Sequence, residues 1–162
     1  MHAIKHPLPL GDLVRDNLSI IVTYIYSKKR IDQFSDKHFT GIWKDLKQVV
    51  HKANEKRALR ACLEMALYLR ALDDETQVSR LYTEITKEVF GTLFLKNGLS
   101  TSISIREVAN KIIHADKLEW EFDQHPEPVL ICTAKPEESR KWTRAEIDFA
   151  PLIHIGASMI YE

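Results

Sequence analysis

The fold turns on residues 104–123, SIREVANKIIHADKLEWEFD, where one hydrophobic period gives way to another. Ser104, followed three residues later by Glu107, forms a capping box. The serine oxygen can accept the amide of Glu107 while the glutamate reaches back to the serine amide, which starts a helix at Ile105. Val108, Ile112 and Ala115 share one face of that helix, with Ala109 and Ile113 beside it, so about ten residues can dock on a core. Beyond Ala115 the period shortens to two. Leu118, Trp120 and Phe122 alternate with Lys117, Glu119, Glu121 and Asp123, the pattern of a half-buried strand. Residues 124–128 (QHPEP) read as a turn and 129–134 as a second strand. Residues 135–139 (KPEES) turn again, and Trp142 to Phe149 alternates as a third strand. Pro151 then suits the first turn of a last helix.

Upstream, the reading is helical. Val14, Leu18, Ile21 and Ile25 recur at helical spacing between Leu13 and Tyr26. Ile42, Trp43, Leu46, Val49, Val50 and Ala53 share a second helical face. Unbroken to Leu72 that helix would be about 45 Å long at 1.5 Å per residue, so a kink or short turn near Asn54 is expected. Residues 58–72 are apolar almost all round, as in the most buried helix. Val78, Leu81, Tyr82, Ile85, Val89, Leu93 and Phe94 form a further amphipathic stripe closed by Asn97-Gly98 as a C-cap, and Leu99 to Ile103 reads as a polar connector. The expected fold is mainly α. A helical bundle carries a small antiparallel β-meander over about 117–149 and a final helix over about 151–161, in one domain spanning 1–162.

Composition narrows the function classes. The 162 residues balance 23 Lys+Arg against 23 Asp+Glu, and no apolar run approaches the ~18 residues of a membrane span. The opening MHAIKHPLPL lacks the apolar core of a signal peptide, so a cytoplasmic protein with no membrane partner is expected. Five isolated glycines form no phosphate-binding loop or dinucleotide fingerprint. The histidines and cysteines show no metal-ligand spacing, so the expectation is no cofactor and no metal. Cys62 and Cys132 fall in apolar runs and read as buried free thiols. The zero net charge is a sum of unlike parts. Residues 28–60 hold ten Lys/Arg against four acids, and residues 116–138 hold seven acids against two lysines. Such polarity suits attraction of a polyanion through Lys44, Lys47, Lys52, Lys56 and Arg57. It suits equally well a solvated helix face or head-to-tail pairing of two copies.

Arg106, Asn110 and His114 stand four residues apart, so they line one polar stripe of the capped helix. Arg106 sits in the first turn, where the helix dipole disfavours a cation, and calls for a carboxylate partner or a bound anion. An arginine, an amide and a titratable imidazole are groups that can hold a phosphodiester and move a proton beside it. The same stripe read structurally pairs Arg106 with an acid, bonds Asn110 to a neighbouring element and sets His114 against the last carbonyls.

Residues 106–115 (REVANKIIHA), followed by the acidic aromatic strand and the segment 141–148 (KWTRAEID), resemble the HEPN superfamily of helical proteins. The likeness is to the uncharacterised branch with an Asn-Lys-Ile-Ile-His-Ala helix and a C-terminal hairpin. It implies a helical bundle, commonly a homodimer. It also implies an RNA-binding function, with metal-independent ribonuclease activity in toxin, abortive-infection or defence systems and a cognate antitoxin or system partner. On the family's signature His114 matches the catalytic histidine and Arg106 is the nearest arginine, with Asn110 between them. Seven residues separate the two, where the signature has about four to six. A non-catalytic protein-interaction or dimerisation module is the alternative that the resemblance allows.

Overall fold

A computed structural model describes residues 9–85 and 87–158. Two long antiparallel helices, α1 (Leu10–His38) and α2 (Lys44–Thr76), are joined through a short 3-10 turn at Gly41–Trp43. After α3 (Val78–Ile85) come strands β1 (Gly91–Leu95) and β2 (Ser100–Ser102), then α4 (Ile105–His114). Strands β3 (Ala115–Glu121), β4 (Val129–Ala134) and β5 (Trp142–Asp148) follow, and α5 (Phe149–Ser158) closes the described chain. The fold is mainly α with one small antiparallel sheet, ordered β2-β1-β5-β4-β3.

The capped helix and the meander lie where the sequence puts them. Glu107 N–H donates to Ser104 Oγ (3.3 Å) and Ser104 N–H donates to Glu107 Oε2 (2.9 Å), so the capping box is closed in both directions. Ser104→Ala removes one arm of it and is expected to cost about 1 kcal/mol in urea unfolding, with the slope unchanged. Strands β3, β4 and β5 pair in sequence, Trp120 opposite Leu130 and Leu130 opposite Ile147. The last helix starts at Phe149, two residues before Pro151, whose missing N–H falls within the first turn and breaks no helical bond. The expected end of that helix, residues 159–161, lies outside the described residues.

Three expectations are corrected. The helix expected across Val78 to Phe94 stops at Ile85, and the chain then enters the sheet as β1. Asn97-Gly98 is the turn of the β1–β2 hairpin, with Leu95 N–H donating to Leu99 C=O (2.8 Å) and Gly98 at φ +83°. The 99–103 connector supplies the edge strand β2. Second, α2 runs unbroken for 33 residues, about 50 Å. Lys44 to Thr76 holds neither Pro nor Gly, and one asparagine costs a few tenths of a kcal/mol of helix propensity, too little to break a helix braced along α1. Third, residues 58–72 are not buried all round. Ala58, Ala61, Cys62, Met65, Ala66 and Leu69 face the core, while Leu63 and Leu67 face outward.

The core is continuous from α1 and α2 through α4 and α5 to the sheet, with Ile21, Met65, Leu69, Phe90, Ile112, Leu130, Ile147 and Phe149 fully enclosed. Both thiols are buried and free. Burial pushes Cys62 well above the usual thiol range and Cys132 up to about 12. Trp142 is enclosed, its Nε1–H donating to Glu138 (3.0 Å), and Trp120 packs tilted against Tyr24 and Phe149. Both indoles therefore serve packing rather than a stacking platform.

Candidate functional site

The polar stripe of α4 lies against the C-terminal part of α2, and the two helices meet through side-chain pairs in antiparallel register. The Arg106 guanidinium donates to Asp73 Oδ2 (2.8 Å) and to Asp74 Oδ1 (2.7 Å). One turn further along α4, Arg70 Nη1–H donates to Asn110 Oδ1 (3.1 Å). His114 comes another turn later, exposed, as the last helical residue before the chain extends into β3. Among the described residues its imidazole makes no hydrogen bond or ion pair. Because residues 106 and 110 face 73–74 and 70, the same register carries His114 toward the turn of α2 that holds Leu67.

Asp73 is the centre of this arrangement. Its side chain is only 4% exposed, and it joins three helices: Oδ2 takes Arg106 of α4, and Oδ1 takes the Ser79 N–H of α3 (2.7 Å). Burial alone would raise its pKa, but the Arg106 guanidinium and the Ser79 donors outweigh it and hold the carboxyl below its ordinary value. Arg106, about 42% exposed at the side chain, rises above the usual guanidinium range because two carboxylates accept from it. The cation in the first turn of α4 is thus matched by carboxylates of the fold. Of the stripe's members, only His114 is left facing solvent without a partner among the described residues.

Chemically, the stripe divides. Arg106 and His114 lie eight residues apart, about 12 Å along the axis, so the two sites are separated by more than the span of one phosphate. A phosphate at Arg106 would compete with Asp73 and Asp74 for the same donors. Arg70 and Asp73 are the members that the sequence reading did not single out. Arg70 stands in the stretch read as apolar almost all round, and Asp73 stands in the acidic run Asp73-Asp74-Glu75, where nothing local tells a buried carboxylate from a solvated one.

The five cations expected to attract RNA do not form one row. Lys52 and Lys56 stand four residues apart on the outer side of α2, and Lys44 is exposed near its start. Lys47 leans on α1 through an ion pair with Asp36. Arg57 lines a different groove, beside Ile20 and Thr23 of α1. Among the described residues Lys44, Lys52, Lys56 and Arg57 have no carboxylate within ion-pair distance. On the other flank of α1, Tyr24, Trp120 and Phe122 border a cleft with Lys28, Asp32 and His51. There Asp32 is shared by Lys28 Nζ (2.7 Å) and His51 Nδ1 (3.0 Å). Burial, then Glu55 and Asp32, push the Tyr24 hydroxyl up to about 12. The lysines of this cleft are matched by Asp32 and Asp36, which leaves no net surplus for an anion. Compared with protein-family models, curated proteins and solved structures, the chain matches none.

Proposed function

We propose that this chain is a HEPN-like helical domain acting as a non-catalytic protein-interaction module, with the α4 stripe serving as an internal clasp. The observation that carries this reading is the double carboxylate grip on Arg106. A guanidinium meant to stabilise charge on a phosphorane has to be free to meet it, and here Asp73 and Asp74 already accept its protons. The stripe closes α2, α3 and α4 on one another and leaves the outer side of α2 to meet partners.

A second reading, RNA binding, draws on Lys52, Lys56 and Arg57, which are exposed and without carboxylate partners among the described residues. Such contacts would be independent of sequence and would weaken steeply with salt. One experiment separates the readings. Purified protein is incubated with single-stranded RNA in EDTA, and binding is followed by anisotropy across a salt series. The interaction module leaves the RNA intact and unbound at physiological salt. Cleavage that survives EDTA and disappears in His114→Ala would overturn it in favour of a nuclease. Salt-dependent binding without cleavage would favour the second reading.

A further inference from the structure

The outer side of α2 carries a seam. From Leu46 the positions step by three and four residues, through Val49 and Ala53, Lys56 and Arg60, to Leu63 and Leu67. This is the heptad spacing with which one helix meets another along its length. On the helical wheel the row lies opposite the buried set centred on Ala58, Cys62 and Leu69. Its large apolar members are open: Leu46 is 41% exposed, Val49 63%, Leu63 41% and Leu67 55%. Ile42, on the preceding 3-10 turn, prolongs the row.

The next two steps of the same spacing are Arg70, half-buried, and Asp74, exposed, and both are bonded by α4. Asn110 of α4 accepts from Arg70, and Arg106 of α4 donates to Asp74. A helix of this fold therefore borders the C-terminal end of the seam, and Leu46 to Leu67, about 32 Å along the axis, continues the same face exposed. Two exposed apolar clusters on one helix face, Leu46–Val49–Ala53 and Leu63–Leu67 with a charged stretch between them, have the make-up of an interface.

Charge selects the occupant. The middle of the seam is cationic, with Lys56 and Arg60 on it and Lys52 and Arg57 at its sides, against Glu55 and the Glu64 that bridges Arg60 (2.8 Å). A second copy docked antiparallel about a two-fold axis would set Leu46 opposite Leu67 and Val49 opposite Leu63. It would also crowd both copies of Lys56 and Arg60 into the same two turns, at a repulsive cost. A helix with carboxylates at the centre and apolar residues at both ends meets the seam without that cost.

We propose that the outer seam of α2, from Leu46 to Leu67, docks an acidic amphipathic α-helix of a partner protein. This rests on the interaction-module reading and supplies its partner chemistry. Apolar residues of the incoming helix fill the Leu46–Val49 and Leu63–Leu67 ends, and Asp or Glu side chains meet Lys56 and Arg60.

Two synthetic helical peptides test it, both with leucines at heptad positions, one with Glu and the other with Lys at the two central seam positions and their flanks. Fluorescence anisotropy with the full chain at low salt is expected to show the Glu peptide binding at least about tenfold tighter than the Lys peptide. Lys56→Glu with Arg60→Glu is expected to reverse that order, and Leu63→Asp with Leu67→Asp to abolish binding of both. All four substituted side chains are exposed, and circular dichroism checks that the variants stay folded. Equal binding of the two peptides, or none by either at about 0.1 mM, overturns the proposal. So does a homodimer in sedimentation equilibrium that Leu67→Asp dissociates, since the seam would then belong to a second copy. RNA cleavage in EDTA strikes the interaction-module reading itself, whereas peptide failure with intact RNA strikes this partner assignment alone.

Discussion

Gly91→Ala is expected to destabilise the protein by about 3 kcal/mol or more, a larger effect than a methyl group added at Gly41, Gly98 or Gly156. Gly91 is the first residue of β1 and has φ +146°, a conformation that an L side chain rarely adopts. A Cβ built there would lie 2.0 Å from the Glu146 carbonyl oxygen of the neighbouring strand β5. Both clashing groups are backbone, so neither can swing aside. The glycine is also where the ladder is set. Ile103 N–H donates to Gly91 C=O (3.2 Å), and Asp148 N–H donates to the carbonyl of the preceding, fully buried Phe90 (3.1 Å). Relief of the clash therefore pulls β1 away from β5 or Phe90 out of the core. For a chain of this size the loss corresponds to a melting temperature about 6–12 °C lower. Gly98→Ala provides the contrast: it shares a positive φ of +83° but has nothing within 4 Å of the added carbon, so its penalty is the turn strain alone. Equal melting shifts for the two variants would show that contact with Glu146 does not set the cost.

The same glycine explains why the first hairpin escaped the sequence. Val89, Phe90, Leu93 and Phe94 are spaced so that they fit a helical stripe as well as a strand, and the continuous pattern from Val78 favoured the helix. What overrides it is a backbone conformation at Gly91 and a tertiary partner, β5, that lies about fifty residues further on. Asn97-Gly98 was ambiguous for a related reason: the dipeptide ends helices and turns hairpins with equal ease. The capping box at Ser104 and the alternation from Leu118 to Phe122 were legible because each is decided within a few residues. The unbroken α2 hid behind an argument from length. A helix of about 50 Å exceeds what a bundle of this mass needs, yet nothing in Lys44 to Thr76 stops one.

The candidate site was half legible. Arg106 at a helix start opposes the dipole, and that local anomaly correctly demanded an anion. Which anion it meets depends on Asp73, 33 residues earlier, and no spacing rule links the two. Arg70 was hidden in the same way. It stands among apolar neighbours, and its meeting with Asn110 comes only from the antiparallel packing of α4 on α2. The exposed seam of α2 was misread in the opposite direction. Apolar residues at heptad spacing predict burial, and here that rule speaks of a helix outside the chain.

Asp73→Ala is expected to cost about 2–3 kcal/mol, because one carboxylate closes the junction of three helices. It accepts a charge-assisted bond from Arg106 and caps the start of α3 through the Ser79 N–H, and deletion removes both bonds at once. Arg106→Gln is expected to destabilise as well, since a nearly buried carboxylate then keeps its charge without its counterion, while the exposed Asp74 is indifferent. The two changes should not add: with Asp73 gone, replacing Arg106 should have little further effect on the unfolding midpoint. Acid supplies an independent test. Folding lowers the Asp73 pKa, so the unfolded chain binds its proton more readily. The stabilisation is complete above the ordinary aspartate value of about 4 and is lost as pH falls through the lower folded value. Between about pH 5 and pH 3 the parent chain should therefore lose more stability than Asp73→Asn, which has no charge there to lose. If Arg106→Gln leaves the melting temperature and this acid profile unchanged, the clasp does not hold the fold. Arg106 would then be free for an external anion, and the interaction-module reading would give way to the RNA-binding one.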